Sequence, residues 1–157
     1  MKLLKFGIPF FVVLVLGACS MAPFNSSFEM HDRLPECGSK PNCVSSQDPR
    51  PRFYIAPVTL NDGVTMDDVA AALAVQPRTT IVTQTDTQLH AENRSKWFKF
   101  VDDIQLALTN NVLYFYSASR VGYSDLGVNR KRIEALITQL NENGWIAPDS
   151  EQVTTYP

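Results

Sequence analysis

The chain has 157 residues, with 14 lysines and arginines against 16 aspartates and glutamates, and a formal net charge of −2. That balance gives no general affinity for nucleic acid or anionic lipid, so any anion site has to be local. The length leaves room for one domain with one core.

The N-terminus, MKLLKFGIPFFVVLVLGACS, places Lys2 and Lys5 before an apolar run from Phe6 to Leu16, then small residues before Cys19. A short basic region, a short apolar region and a small-residue cut define a secretory leader. A membrane-spanning helix needs about 20 apolar residues, more than this run supplies. Leu16-Gly17-Ala18-Cys19 resembles the lipobox of bacterial lipoproteins. The resemblance implies cleavage before Cys19, diacylglycerol on its sulfur, and an acyl chain such as palmitate on the new amine. The alternative is an ordinary leader with an accidental cysteine. Ser20, not aspartate, follows Cys19, so enteric-type sorting leads to the outer membrane, facing the periplasm. Two or more acyl chains anchor stably, because each buried CH2 contributes about 0.8 kcal/mol. The expected organisation is a leader over 1–18, a lipid-anchored tether over 19–34 and a single α+β domain over 35–157.

Six of the ten prolines lie between Pro23 and Pro57, which predicts a tether and an irregular lead-in loop. With Cys19 taken by lipid, Cys37 and Cys43 form an even pair, and in an oxidising compartment "CGSKPNC" reads as a small disulfide loop. Metal binding is the alternative, but two thiols with only His31 and His90 give no zinc-ligand spacing. Met66–Ala74 predicts a helix, with Thr65 as cap, Asp67 and Asp68 in its first turn, and Pro77 barring its continuation. Strands are predicted over Thr79–Thr85, Leu89–Ser95, Trp97–Leu108 and Val112–Arg120. Asn110-Asn111 fits a two-residue hairpin turn, since asparagine tolerates positive φ. A final helix is predicted over Arg130–Asn143, with Ile133, Leu136, Ile137 and Leu140 on one face, Asn129 as N-cap and Gly144 closing it. This order predicts a four-stranded antiparallel meander with helices packed on one face.

If Asn110-Asn111 is the turn, Thr109 pairs with Val112, Leu106 with Phe115, Ile104 with Ser117 and Asp102 with Ser119. Asp102 then lies on the core face, with Phe98 and Phe100 continuing it, and needs hydroxyls, amides or an arginine as partners. The opposite face gathers His90, Glu92, Arg94, Trp97, Asp103, Tyr114, Tyr116 and Arg120. A tight turn at Ser95-Lys96 would set Glu92 opposite Lys99. Such a face is either a solvated surface with weak ion pairs or a site.

The stretches "PECGSKPNCVSSQ", "HAENRSKWFKFVDDIQL" and "SASRVGYSDLGVNRKRIEAL" resemble the Domain of Unknown Function 1499 family, over roughly Pro35 to Leu140. The resemblance implies the family's cysteine pair at Cys37 and Cys43. It implies signature positions at His90, Glu92, Arg94, Asp102, Asp103, Ser117, Ser119, Arg120, Tyr123, Asp125, Asn129 and Arg130. It implies no activity.

Serine, histidine and aspartate all occur in these stretches, but no Gly-x-Ser-x-Gly elbow is present. Asp102 and Asp103 are adjacent on a strand and point to opposite faces, so they cannot act as a general acid-base dyad. His90, Glu92 and Asp103 are the candidate catalytic residues, with Asp102 structural. Arg94, Ser117, Ser119, Arg120, Tyr123, Asp125, Asn129 and Arg130 are candidate binding residues, because a helix start beside arginines suits an anion. That anion is either internal, one of Asp102, Asp103 and Asp125, or external. No glycine-rich phosphate loop is present and no cofactor is expected. Two function classes remain: a non-catalytic envelope lipoprotein that is a structural module or binds a small anionic ligand or an envelope protein, and an enzyme acting on envelope material through the His90–Glu92–Arg120 cluster.

Overall fold

The computed structural model describes residues 33–148. The expected leader, Cys19, the tether up to residue 32, and residues 149–157 lie outside the described residues. In chain order the elements are β1 (Cys43–Ser45), β2 (Val58–Thr59), α1 (Met66–Ala74), β3 (Thr79–Gln84), β4 (Gln88–Arg94), β5 (Val101–Thr109), β6 (Val112–Ser119) and α2 (Val128–Glu142). The class is α+β, with one open antiparallel sheet and two helices.

The sheet has six strands where four are expected, in the order β1-β6-β5-β4-β3, with β2 also on β6. The central meander is as predicted. The two extra strands come from the proline-rich lead-in, where three- and two-residue segments carry no legible alternation. β1 lies along the far half of β6 (Val44 beside Ser117) and β2 along its near half (Val58 beside Leu113).

Both helices contribute to the same core. Val69 and Leu73 of α1, and Ile133, Leu136 and Leu140 of α2, are buried with Leu89, Ile104, Leu106, Leu113 and Phe115 of the sheet. Each such side chain contributes about 1.5–3 kcal/mol on burial. α1 starts where its capping box places it: Thr65 Oγ1 accepts from Asp68 N, and the Asp68 carboxylate accepts from Thr65 N at 2.8 Å. Asn110 (φ 49°) and Asn111 (φ 63°) make the hairpin turn with both residues left-handed. That turn fixes the register, pairing Thr109 with Val112, Ile104 with Ser117 and Asp102 with Ser119.

The β4–β5 connection differs from expectation. It is a loop, not a tight turn: Ser95 N donates to Phe100 O at 2.9 Å, and Phe100 N to Ser95 Oγ at 2.9 Å. β5 therefore begins at Val101, and Glu92 faces Asp103 instead of Lys99. Phe98 and Phe100 leave the core face, where they were expected, and are 75% and 51% exposed. Trp97 also leaves the sheet, at 79% exposed.

On the face away from the helices, the lead-in loop packs against β6. Cys37 and Cys43 are joined by a disulfide and cluster with Phe53, Tyr116 and Ala118. The buried Asp48 carboxylate holds that loop, accepting from Cys37 N (2.9 Å) and from Arg50 Nε (2.8 Å) and Nη2 (2.6 Å). Among the described residues no helix is long and apolar enough to cross a membrane.

Candidate functional site

The signature residues divide between the two faces of the sheet. On the core face, Asp102 is buried, as a β5 residue of even register must be. Its partner is Arg132, whose Nη2 donates to Asp102 Oδ2 at 2.7 Å. Arg132 Nη1 also donates to Asn129 Oδ1 (2.7 Å) and Ser117 Oγ (3.3 Å), and Nη2 to Asn93 Oδ1 (3.3 Å). Ser117 Oγ donates to Asn129 Oδ1 at 2.6 Å. Asn129 Nδ2 reaches Ser119 Oγ (3.0 Å), Asp125 Oδ2 (2.8 Å) and Asn42 O (3.1 Å). Thus β4, β5, β6, α2 and the residue before β1 are tied by one buried polar network, whose groups meet partners instead of water.

Asn129 is therefore not the N-cap. α2 begins two residues earlier than expected, at Val128 after Gly127 in the left-handed region (φ 78°), and Asn129 lies inside the helix, fully buried. Asp125 does the capping, accepting from Gly127 N at 3.0 Å and Asn129 N at 2.9 Å. Among the described residues Arg130 reaches no aspartate; its Nη2 donates to Tyr54 O (2.8 Å) and Arg52 O (3.1 Å), fastening α2 to the lead-in loop. Arg130 and Asp125 line a cleft of about 220 Å3 with Arg52 and Phe53. Tyr123 is exposed on the loop before α2.

On the opposite face, His90, Asp103, Arg120, Glu92 and Arg94 form a linear chain of ion pairs. His90 Nε2 lies 2.8 Å from Asp103 Oδ1. Arg120 grips Asp103 with Nε (2.8 Å to Oδ2) and Nη2 (2.7 Å to Oδ1), and reaches Glu92 Oε1 at 2.6 Å. Arg94 Nη2 closes the chain on Glu92 Oε2 at 2.8 Å. Burial pushes the Asp103 carboxyl up, but its hydrogen bonds to His90 and Arg120 outweigh this and hold it at about 2. The Asp103 hydrogen bond, with Glu92 behind it, raises Arg120 above the ordinary arginine value. Tyr116 is raised by burial first and by the Asp103 charge second. An aspartate so strongly held in its ionised form is a poor proton acceptor at neutral pH.

A larger cleft, of about 430 Å3, opens at the start of α2. Arg78, Lys96, Lys131 and Arg132 line it, with Asp102 as its acidic residue. Sequence reasoning passed over most of these side chains. A signal for Arg132 was available: Asn129, Arg132, Ile133, Leu136 and Leu140 share one helical stripe, so a buried cation was due opposite the buried Asp102. For Arg78 and Lys96, which reach the cleft from other loops, no local signal exists. Among the described residues, no group of three or more His, Cys, Asp or Glu is placed to hold a metal ion.

Residues 33–140 match the family described as "Protein of unknown function (DUF1499)". The chain belongs to the DUF1499 family. No curated protein matches it. The match runs from the residue before Leu34 to the end of the α2 core stripe at Leu140, so it takes in both polar networks of this DUF1499 chain.

Proposed function

We propose that this DUF1499 protein is a non-catalytic, lipid-anchored envelope protein whose domain binds an anionic ligand in the cleft between Arg78, Lys96 and Lys131. The observation that carries the reading is the charge of that cleft: four basic side chains line it, and its one acid, Asp102, is neutralised by Arg132 at 2.7 Å. Three cations, Arg78, Lys96 and Lys131, remain on the lining of one open cleft for a phosphate or carboxylate group. The anchor at Cys19 and the outer-membrane destination are part of the proposal and rest on the leader.

The enzyme reading is weaker on physical grounds. His90, Glu92 and Asp103 each pair with neighbours along the sheet, and the clefts of about 220 and 430 Å3 are lined by other side chains. Ser117 is buried in the core-face network, with Arg132 and Asn129 around its hydroxyl, so it has no approach for a substrate carbonyl.

Thermal melts with glycerol 3-phosphate at fixed ionic strength test the cleft. The expected result is a higher melting temperature with the ligand, lost in Lys131→Ala and Lys96→Ala but kept in His90→Ala. A shift that survives both lysine substitutions, or no shift in the unaltered protein, contradicts the reading.

A further inference from the structure

We infer that the end of the sheet formed by loops 95–100 and 121–127 docks onto an anionic phospholipid bilayer. Of the nine large hydrophobic side chains exposed among the described residues, six lie in these two loops and a seventh, Val128, opens α2 directly after the second; Val75 follows α1 and Val82 is on the edge strand. Leu126 is 87% exposed, Trp97 79%, Phe98 75% and Tyr123 74%, and the Phe98 and Phe100 rings stack at 5.4 Å. Large apolar side chains exposed this densely on two adjoining loops mark an interaction site. The two loops adjoin, since Arg120 N donates to Val101 O at 3.1 Å, and Lys96 and Val128 line the same cleft.

The charges decide what covers these loops. Lys96 and Lys99 lie in the aromatic loop itself, Arg78 and Lys131 line the cleft beside it together with Lys96, and Lys96 Nζ sits 5.0 Å from the centre of the Trp97 ring. The acids nearby are already engaged: Glu92 by Arg94 and Arg120, Asp102 by Arg132, Asp125 by the amides of α2. The opposite end carries Asp62, Asp67, Asp68 and Asp86, beside the β5–β6 turn, the start of α1 and the β3–β4 turn. The four most exposed aromatics, Trp97, Phe98, Phe100 and Tyr123, and the cations Arg78, Lys96, Lys99 and Lys131 thus share one pole of an acidic chain. Aromatic side chains whose apolar rings enter the headgroup boundary, with lysines beside them reaching phosphates, suit a bilayer surface of negative potential. The described residues also begin and end at the acidic pole, where Leu34 lines a cleft with Thr109 and Ala147 N donates to Thr59 O at 2.9 Å. The tip therefore faces away from both ends of the described chain. The inference rests on the cleft reading only for the headgroup, which the cleft would receive; the aromatic loops stand apart from it.

The test uses the full chain as its host processes it, added to phosphatidylcholine vesicles with and without phosphatidylglycerol, the acyl chains brominated. Bromine quenches a tryptophan that enters the acyl boundary, and Trp97 and Trp145 are the two tryptophans. Any acyl anchor brings the protein to both vesicles alike, so the difference between them reports the tip. Quenching is expected with phosphatidylglycerol and to a small extent without it, weakened by salt, and absent in Trp97→Phe, because Trp145 packs on the core at the other end. Each of Lys96→Ala, Lys99→Ala and Lys131→Ala is expected to lower the ratio of docked to undocked tip about five-fold. Equal quenching in both vesicles, or none in either, overturns the inference and turns the search to a protein partner. A melting shift with glycerol 3-phosphate but no quenching leaves the cleft reading standing and removes the docking; quenching without that shift does the reverse.

Discussion

Asp102 and Asp103 are neighbours in β5, each is gripped by an arginine, and the two environments differ in nearly every other respect. Arg132, 8% exposed, meets Asp102 in a network with Asn93, Ser117 and Asn129 beneath α2. Arg120, with 31% of its side chain exposed, meets Asp103 on the open face and can exchange its contacts for water. A single step along a strand turns a side chain from core to surface, so one dipeptide supplies both a buried lock and a surface clasp. A buried pair is costly to break because the survivor is left charged and dry, whereas an exposed pair is rehydrated.

The largest expected effect comes from cutting the lock at its acid. Asp102→Ala strands the Arg132 guanidinium and should destabilise by about 3–5 kcal/mol, read from urea unfolding of the purified protein. A loss below about 1 kcal/mol would show that water reaches Arg132.

Acid should come next. Asp103 and Asp48 are both lowered to about 2, Asp48 chiefly by the Arg50 hydrogen bond. Both folded values lie below the unfolded carboxylate value of about 3.9, so these groups stabilise above about pH 4, and the contribution drains away as pH falls toward 2. Up to about 2–3 kcal/mol is at stake at the buried Asp48, and about 1 kcal/mol at Asp103, where solvent screens the open-face pair. Asp103→Asn should flatten its share of the slope in melts between those pH values, and an unchanged slope would remove Asp103 from the account.

The disulfide ranks third. Cys37 and Cys43 are six positions apart, so their bond closes a short loop worth about 2 kcal/mol in the chain-entropy picture. The Cys37→Ser, Cys43→Ser double variant should still fold, because Asp48 and Arg50 hold the same loop. Loss of the folded state by circular dichroism would contradict this. Smallest of all, Lys96→Ala and Lys131→Ala should change unfolding stability by less than about 0.5 kcal/mol while altering ligand response, which separates the tip from both clusters.

The meander was legible because its signals are local and mutually consistent: asparagines able to take positive φ at 110 and 111, alternation along β5 and β6, and a capping box at Thr65. The core placement of Asp102 followed from that register alone. Residues 43–45 and 58–59 were not legible as strands, since two or three residues acquire that form only by lying on β6. The loop at 95–100 misled for a physical reason: Trp97, Phe98 and Phe100 have strong strand propensity, but Ser95 closes the loop and Lys99 takes a positive φ of 56°. Asn129 was misread because asparagine is a good cap, while its amide is held in the buried network by Ser117, Ser119 and Arg132. The partner of Asp102 lies 30 residues away, beyond any local pattern, although the α2 stripe pointed to Arg132.

Urea unfolding of Arg132→Met and Arg120→Met, measured side by side, tests the contrast most directly. Methionine keeps much of the apolar stem and removes the charge in both. The account predicts a loss of about 3–5 kcal/mol for Arg132→Met and about 1 kcal/mol or less for Arg120→Met. Equal losses, or a larger loss at Arg120, would contradict it and make the open-face chain the lock of this fold.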